Sequence, residues 1–370
     1  MKYFVLAGEA SGDKQAALLC QAIRQHDLSA EIVGWGGEAM EAHGVRILKH
    51  YRDLAYMGFV EVVKHLPVIF QNFKTCRKEI LDFQPDAVIL VDYPGFNLRM
   101  ATWAAKQHFP VYYYISPQLW AWHTSRVHRI KKAVRRMYVI LPFEKEFYKN
   151  FGMEVVYIGH PMAVELDQQV DADEKSKDYI ALLPGSRKHE VDKLLPVMVD
   201  LAGKMPGQKF IVAAVSHLPI NVYTDLLQGA SNIAVEVETM RGVLQKSKAA
   251  VVTSGTATLE TALMGVPEVV VYKGSPVSYQ IAKRLIKVPY ISLVNLIANK
   301  KLVPELIQKE CNVENVYAAL QDILEPNHYL EIKNGYQQMK SLLTSGGGAA
   351  TAAIDIISDL DQLKRKNGLV

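Results

Sequence analysis

The chain has little cysteine, little net charge and no hydrophobic run long enough to cross a bilayer. Its three cysteines among 370 residues, Cys20, Cys76 and Cys311, lie far apart, are odd in number and form no Cys-x-x-Cys pair. That excludes a disulfide scaffold and fits a reducing compartment, with three buried, unreactive thiols. Lysine and arginine total 42 against 38 aspartates and glutamates, a net charge of +4, so bulk electrostatics give no argument for a nucleic-acid partner. No apolar stretch approaches the roughly 20 residues of a membrane span. The N-terminal strand runs into Gly8-Glu9 too soon to be a signal peptide. The expectation is a cytoplasmic protein, soluble or peripheral. The eleven histidines are scattered with no His-x-x-x-His pair, so no metal site is expected. A Gly-x-Gly-x-x-Gly fingerprint is also missing, which weakens a dehydrogenase reading.

Short β-branched or aromatic runs alternate with helical stretches, the pattern of parallel sheets covered by helices on both faces. One set of strands is expected at residues 3–7, 31–34, 87–91, 111–115, 136–141 and 155–158, and a second at 179–183, 210–215, 233–237, 249–252 and 268–272. The polar stretch between them carries no apolar period and reads as a linker. The fold class is therefore α/β with two doubly wound domains, residues 1–165 and 179–345, joined by a linker at 166–178. Residues 346–370 form a last helix that packs back on a domain or on a partner chain. Gly346-Gly347-Gly348 turns the chain into it. Oligomeric state stays open, with a homodimer as one form.

In open α/β sheets ligands bind beyond the carboxyl ends of the strands, so the chemistry is sought there. Leu183-Pro184-Gly185-Ser186-Arg187 closes one strand and opens a helix, and Thr253-Ser254-Gly255-Thr256 with Glu260 repeats the pattern. Helix-start N–H groups and an arginine fork suit a diphosphate, and a glutamate one turn on suits ribose hydroxyls. Each turn alone is an ordinary helix cap. In the first half, Gly8-Glu9-Ala10-Ser11-Gly12-Asp13 follows the first strand, with carboxylates suited to sugar hydroxyls. Asp92-Tyr93-Pro94-Gly95-Phe96-Asn97 follows the strand at 87–91. Asp92 is the candidate general base; the plainer reading has it bonding the turn it begins. His160 reads as a turn residue. His123 and His189 lie near the proposed cleft without an assigned role.

Two segments suit an anionic membrane surface. One opens at Met57 and runs to Phe70, apolar around most of its girth, which is usual for core but also fits an acyl-chain groove. The other is a basic helix with Arg126, Arg129, Lys131, Lys132, Arg135 and Arg136, preceded by Trp120 and Trp122.

Taken in order, several motifs resemble the lipid-A-disaccharide synthase family: Ala7–Asp13, Met57–Val62, Asp92–Asn97, Ser116-Pro117 with Trp120-Ala121-Trp122, and Leu141–Glu144. Gly159-His160-Pro161, Leu183–Arg187 with Glu190, Ser254-Gly255-Thr256 with Glu260, Asn295-Leu296 and Val303–Gln308 complete the series. The resemblance implies a GT-B glycosyltransferase, two Rossmann-like domains facing across a cleft. It implies inverting transfer of 2,3-diacylglucosamine from UDP to the 6-hydroxyl of 2,3-diacylglucosamine 1-phosphate (lipid X), giving a β-1,6-linked disaccharide and UDP. The UDP-sugar is the donor substrate, and no cofactor or metal is implied.

By position, Asp92, Glu9 and Arg187 match the family's catalytic residues. Gly185, Ser186, Arg187, Ser254, Gly255, Thr256, Glu260 and Asn295 match its nucleotide-sugar site. Gly95 departs from the pattern, standing where many members have a second Asp, which leaves Asp92 as the base. Glu165 departs as well, near a place where an Asp often follows the Gly-His-Pro turn, and no role is read from it. The rival readings are another two-domain UDP-sugar enzyme, such as a UDP-N-acetylglucosamine epimerase, and a non-catalytic sugar- or nucleotide-binding protein.

Overall fold

The computed structural model describes residues 1–54, 66–122, 124–168, 177–227, 229–237, 239–275, 279–280, 284 and 288–366. Among the described residues, thirteen strands form two wholly parallel sheets. The first is ordered β3-β2-β1-β4-β5-β6-β7, from β1 (Lys2–Ala7), β2 (Glu31–Gly36), β3 (Arg46–His50), β4 (Ala87–Val91), β5 (Val111–Tyr114), β6 (Arg136–Val139) and β7 (Val156–Tyr157). The second is ordered β10-β9-β8-β11-β12-β13, from β8 (Tyr179–Leu183), β9 (Lys209–Ala213), β10 (Ile233–Glu236), β11 (Ser247–Thr253), β12 (Glu268–Tyr272) and β13 (Glu305–Ile307). Every expected strand is present. The edge strands β3 and β13 are additions to that pattern, because their residues are mostly half-buried and carry no unbroken apolar run. Strand β5 stops one residue short of its expected end, where Ile115 turns to φ +65°.

The chain divides into two compact units: residues 1–161 with 343–370, and residues 162–342. The crossing at Pro161/Met162 falls just ahead of the expected linker, part of which, Leu166 to Gln168, is the end of the helix Pro161–Gln168. Residues 169–176 of that linker lie outside the described residues. In the first unit, β1 alternates between two cores. Phe4 and Leu6 join Trp35, Val88, Leu90 and Tyr113 on one face; Tyr3, Val5 and Ala7 join Ile89, Tyr112 and Tyr114 on the other. Burial on both faces is what selects apolar β-branched and aromatic residues along a parallel strand. Gly34 lets β2 approach β1, since a Cβ there would lie 1.8 Å from the Val5 carbonyl oxygen.

The last helix, Gly348–Lys366, closes this second core with Ala352, Ala353, Ile356 and Leu360 and packs on the helix Ala10–His26. Gly347 and Gly348 take φ +73° and +61°, as the expected change of direction requires. Asp359 pins the helix to the sheet by accepting hydrogen bonds from Tyr112 Oη (2.7 Å), Arg135 Nη2 (2.9 Å) and Arg136 Nη2 (3.3 Å). Asp355 accepts from Tyr138 Oη at 2.8 Å. Burial disfavours the Asp359 charge, but the bonds from Arg135 and Tyr112 outweigh it and hold the carboxyl below its ordinary 3.8. Its stabilisation is thus present above that pH and lost as pH falls through the lowered native value. Asp359→Ala is expected to cost about 2 kcal/mol at neutral pH by leaving these donors unmatched. A thermal melt checks it.

These contacts correct the expected basic helix. The α-helix covers only Val127–Ala133, and Arg136 already begins β6. Arg135 and Arg136 are committed to Asp355 and Asp359, so the cations left on the exposed face are Arg126, Arg129, Lys131 and Lys132. Residues 55–65, the greater part of the expected acyl-groove segment, lie outside the described residues. Of its remainder, Phe70 is 59% exposed. Among the described residues no helix is long and apolar enough to cross a membrane. All three cysteines are unpaired and buried, and burial pushes the Cys20 thiol up to about 12.

Candidate active site

In the first unit, the carboxyl edge gathers the loops that follow β1, β4, β5 and β6. Asp92 leaves β4 in a left-handed turn, with φ +43° at Asp92 and +47° at Tyr93. Such backbone is held only where its surroundings fix it, and it clusters at functional sites. Here Tyr113 Oη (2.7 Å) and Asn97 Nδ2 (2.8 Å) both donate to the Asp92 carbonyl oxygen, and the Asp92 N–H donates to Tyr114 O at 3.0 Å. Asn97 also donates to Val91 O, so it braces the turn from inside the next helix. The carboxyl group is pushed up to about 6, first by burial and then by the charge of Glu9, partly offset by the Tyr93 N–H. A carboxylate near neutrality at a strand end is suited to general base catalysis.

Glu9 stands at the N-cap position of the helix Ala10–His26 without capping it; its Oε1 accepts from Ser11 Oγ at 3.3 Å. Gly8 brings its loop against the Asp92 turn, since a Cβ there would lie 2.2 Å from Tyr93 Cδ1. Asp13, in contrast, is turned into the fold. It is buried and accepts from the N–H groups of Gly37 (2.7 Å), Ala39 (3.0 Å) and Met40 (3.2 Å), the start of the helix Glu38–Ala42. Gly95 is exposed, and a Cβ added to it would meet nothing within 4 Å, so an Asp would fit there without repacking.

Glu144, which the sequence marks only as one member of a motif, forms a buried link between two loops. It accepts from Ser116 Oγ (2.5 Å) after β5 and from Leu141 N–H (2.9 Å) and Ile140 N–H (3.1 Å) after β6. Burial pushes it up to about 7 against those bonds. His160 is pushed down to about 4 by burial and stays neutral at pH 7; its backbone N–H donates to Leu343 O at 2.8 Å, which fits the turn-residue reading.

In the second unit, β8 and β11 are paired neighbours, so the Gly185–Arg187 and Ser254–Thr256 turns emerge side by side. Gly185 takes φ +119°, and a Cβ there would meet Glu190 Oε2 at 2.4 Å. That carboxylate oxygen accepts from the N–H groups of Ser186 (3.0 Å) and Arg187 (3.2 Å), the glutamate half of a capping box at the start of the helix Lys188–Lys204, which Arg187 cannot complete because a guanidinium accepts no hydrogen bond. The donors expected for a diphosphate are therefore already engaged by Glu190, a competitor the motif did not reveal. Arg187 itself is 73% exposed, with Nη1 at 3.6 Å from Glu190 Oε1.

Ser254 Oγ donates to Ile291 O at 3.1 Å, while Gly255 and Thr256 are exposed at the start of the helix Thr256–Leu263. Glu260, one turn in, accepts from Arg241 Nε at 2.9 Å. Asn295 does not reach the surface. It is fully buried, its Nδ2 donates to Val303 O and Glu305 Oε1, and its Oδ1 accepts from the N–H groups of Leu302 and Val303. It shapes the loop before β13. Among the described residues no group of three or more His, Cys, Asp or Glu could hold a metal ion.

The lipid-A-disaccharide synthetase family model matches residues 3–347. The lipid-A-disaccharide synthase of Trichlorobacter lovleyi is 37% identical over 375 residues, covering 98% of each chain. That of Geobacter sulfurreducens is 38% identical over 360 residues, covering 94% of each. Among solved structures, the kitacinnamycin glycotransferase superposes with TM-score 0.65 at 12% identity, covering 97% of this chain and 98% of that one. The UDP-GlcNAc 2-epimerase of Neisseria meningitidis gives 0.60 at 14%, covering 97% and 99%. These structural likenesses carry the fold alone, whereas the family rests on the sequence matches. With its two parallel sheets and ordered strand-end motifs, the chain belongs to the lipid-A-disaccharide synthase family, glycosyltransferases of lipid A biosynthesis with the GT-B fold.

Proposed function

We propose that this enzyme moves 2,3-diacylglucosamine from UDP to the 6-hydroxyl of lipid X by one in-line displacement that inverts the anomeric centre. The observation that carries the reading is Asp92, an aspartate at a strand end whose proton affinity is raised by burial and by Glu9. As the new C–O bond forms, Asp92 accepts the 6-hydroxyl proton. As the old bond breaks, UDP leaves with the anomeric oxygen, and Arg187 and the start of the helix Thr256–Leu263 meet its developing charge. Glu260 takes the ribose hydroxyls. Glu9 orders the acceptor beside Asp92. The UDP-sugar is the donor substrate, and this scheme calls on no added cofactor.

The test is to incubate the purified protein with UDP-2,3-diacylglucosamine and lipid X and seek the tetra-acyl disaccharide 1-phosphate by mass spectrometry. Product with UDP in equal amount is expected. Conversion of UDP-N-acetylglucosamine to its epimer without an acceptor would instead place the chain with the epimerases.

Both substrates carry acyl chains, and each buried methylene is worth about 0.8 kcal/mol, so the enzyme meets them at a bilayer surface. Support comes from exposed Phe70 and Trp122 (59% and 52%) and from the cations Arg126, Arg129 and Lys132 in the first unit. Reversing those three charges to Glu is expected to abolish sedimentation with anionic liposomes while leaving the melting temperature near wild type. Arg136 is left out, since its reversal would break the Asp355 and Asp359 contacts. Unchanged sedimentation would remove this face from the membrane-contact reading.

A further inference from the structure

We infer that Arg241 is the positioning residue of the ribose site: it bridges Glu260 and Glu165, fixing the Glu260 carboxylate for the nucleotide and offsetting its charge. This rests on the reading of Glu260 as the ribose carboxylate. Arg241 lies in the first turn of the helix Met240–Gln245, which Thr239 caps by accepting the Gly242 N–H at 3.3 Å. The helix packs on β9 and β11 and leads directly into β11, so it runs from the carboxyl edge of the sheet back toward the amino edge. Its first turn therefore shares that edge with the Ser254–Thr256 turn.

Arg241 Nε donates to Glu260 Oε1 at 2.9 Å, and Arg241 Nη2 lies 2.9 Å from Glu165 Oε1. The guanidinium is planar and rigid, so holding two carboxylates fixes its own plane and, through Nε, the orientation of Glu260. The Glu260 side chain is only 18% exposed, where such a contact is screened less than at the surface. The fork sets the direction of the Glu260 carboxylate, and its charge adds a smaller contribution that nucleotides with and without ribose hydroxyls share. A lone carboxylate one turn from a diphosphate site would repel the ligand whose ribose it is meant to hold. An arginine on Glu260 Oε1 cancels that charge and leaves Oε2 to accept ribose hydroxyls. Glu165 is the outer anchor: it sits on the helix Pro161–Gln168 and takes the far side of the fork.

The experiment compares UDP with 2′,3′-dideoxy-UDP by calorimetry on wild type, Arg241→Ala, Arg241→Lys, Glu260→Ala and the double variant Arg241→Ala/Glu260→Ala. Wild type is expected to prefer UDP at least tenfold. Arg241→Ala is expected to bring that preference close to one by weakening UDP about tenfold and dideoxy-UDP less than threefold. Arg241→Lys keeps the charge but not the fork and falls between. The double variant binds no worse than Glu260→Ala, because both substitutions remove one interaction. With the UDP-sugar donor, KM rises while kcat stays within about threefold, since the ribose contact is made equally in the ground and transition states. If Arg241→Ala weakens both nucleotides equally and the preference survives, or if the two losses add, the inference is overturned. If wild type shows no preference, the ribose reading of Glu260 fails instead.

Discussion

Asp92→Asn is expected to lower kcat by about 10²–10⁴, the usual worth of a positioned base, while the affinity for UDP stays within about twofold of wild type. The substitution keeps size and shape, and the amide oxygen can still accept the Tyr93 N–H, so the left-handed turn held by Tyr113 and Asn97 is retained. The pH dependence follows from the carboxyl group. Asp92 must be ionised to take a proton, so kcat/KM, which follows the free enzyme, falls about tenfold per unit as pH drops below about 6. Part of that elevation comes from the charge of Glu9, so Glu9→Gln is expected to move the acid limb to lower pH. Stability has the opposite sign. The folded state holds this proton more tightly than the unfolded chain does, so stability declines as pH rises from 3.8 to about 6. Asp92→Asn is therefore expected to be inactive yet more stable at pH 7 by about 2 kcal/mol, a combination that marks a functional carboxylate. A variant that keeps wild-type kcat would remove Asp92 from the chemistry.

What could be read from the chain and what could not divide along physical lines. The central strands were legible because burial on both faces writes an unbroken apolar run, as in Ala87–Val91. The turns that end them were legible because Asp-x-Pro-Gly and Ser-Gly-Thr interrupt that run. Edge strands such as β3 were not, since a half-buried Arg46–His50 has the composition of a loop. The basic run around Arg129 looked like one helix face, but Arg135 finds its partner Asp359 224 positions on, where no local pattern points. Asn295 shows a further limit: a motif can mark a residue as belonging to the family's site loop without saying whether its amide faces a ligand or the loop itself. Glu165 and Arg241 fall in the same class, for their connection to Glu260 exists only once β10, β11 and their helices are assembled.

Arg187→Ala is expected to lower kcat by about 10²–10³, comparable to removing one preorganised donor from a developing oxyanion, with a smaller loss of UDP affinity. The structure sharpens this beyond the motif. The Arg187 guanidinium is mostly exposed and its contact with Glu190 is long, at 3.6 Å, an exposed pair of the kind that contributes little to stability. Little holds it back from a phosphate. The N–H groups of Ser186 and Arg187 differ, because Glu190 Oε2 already satisfies both. A diphosphate at this turn must either share those donors with a carboxylate of like charge or displace it. Glu190→Gln keeps an acceptor for the two N–H groups and removes the charge, so it is expected to tighten UDP binding several-fold without unwinding the helix start. Glu190→Ala, which empties the cap, costs about 1 kcal/mol of stability. Calorimetry with UDP on both variants, set against kcat for Arg187→Ala, separates the arginine's part from that of the backbone. If Arg187→Ala turns over at the wild-type rate and Glu190→Gln binds UDP no better, the leaving-group charge is not met at this turn.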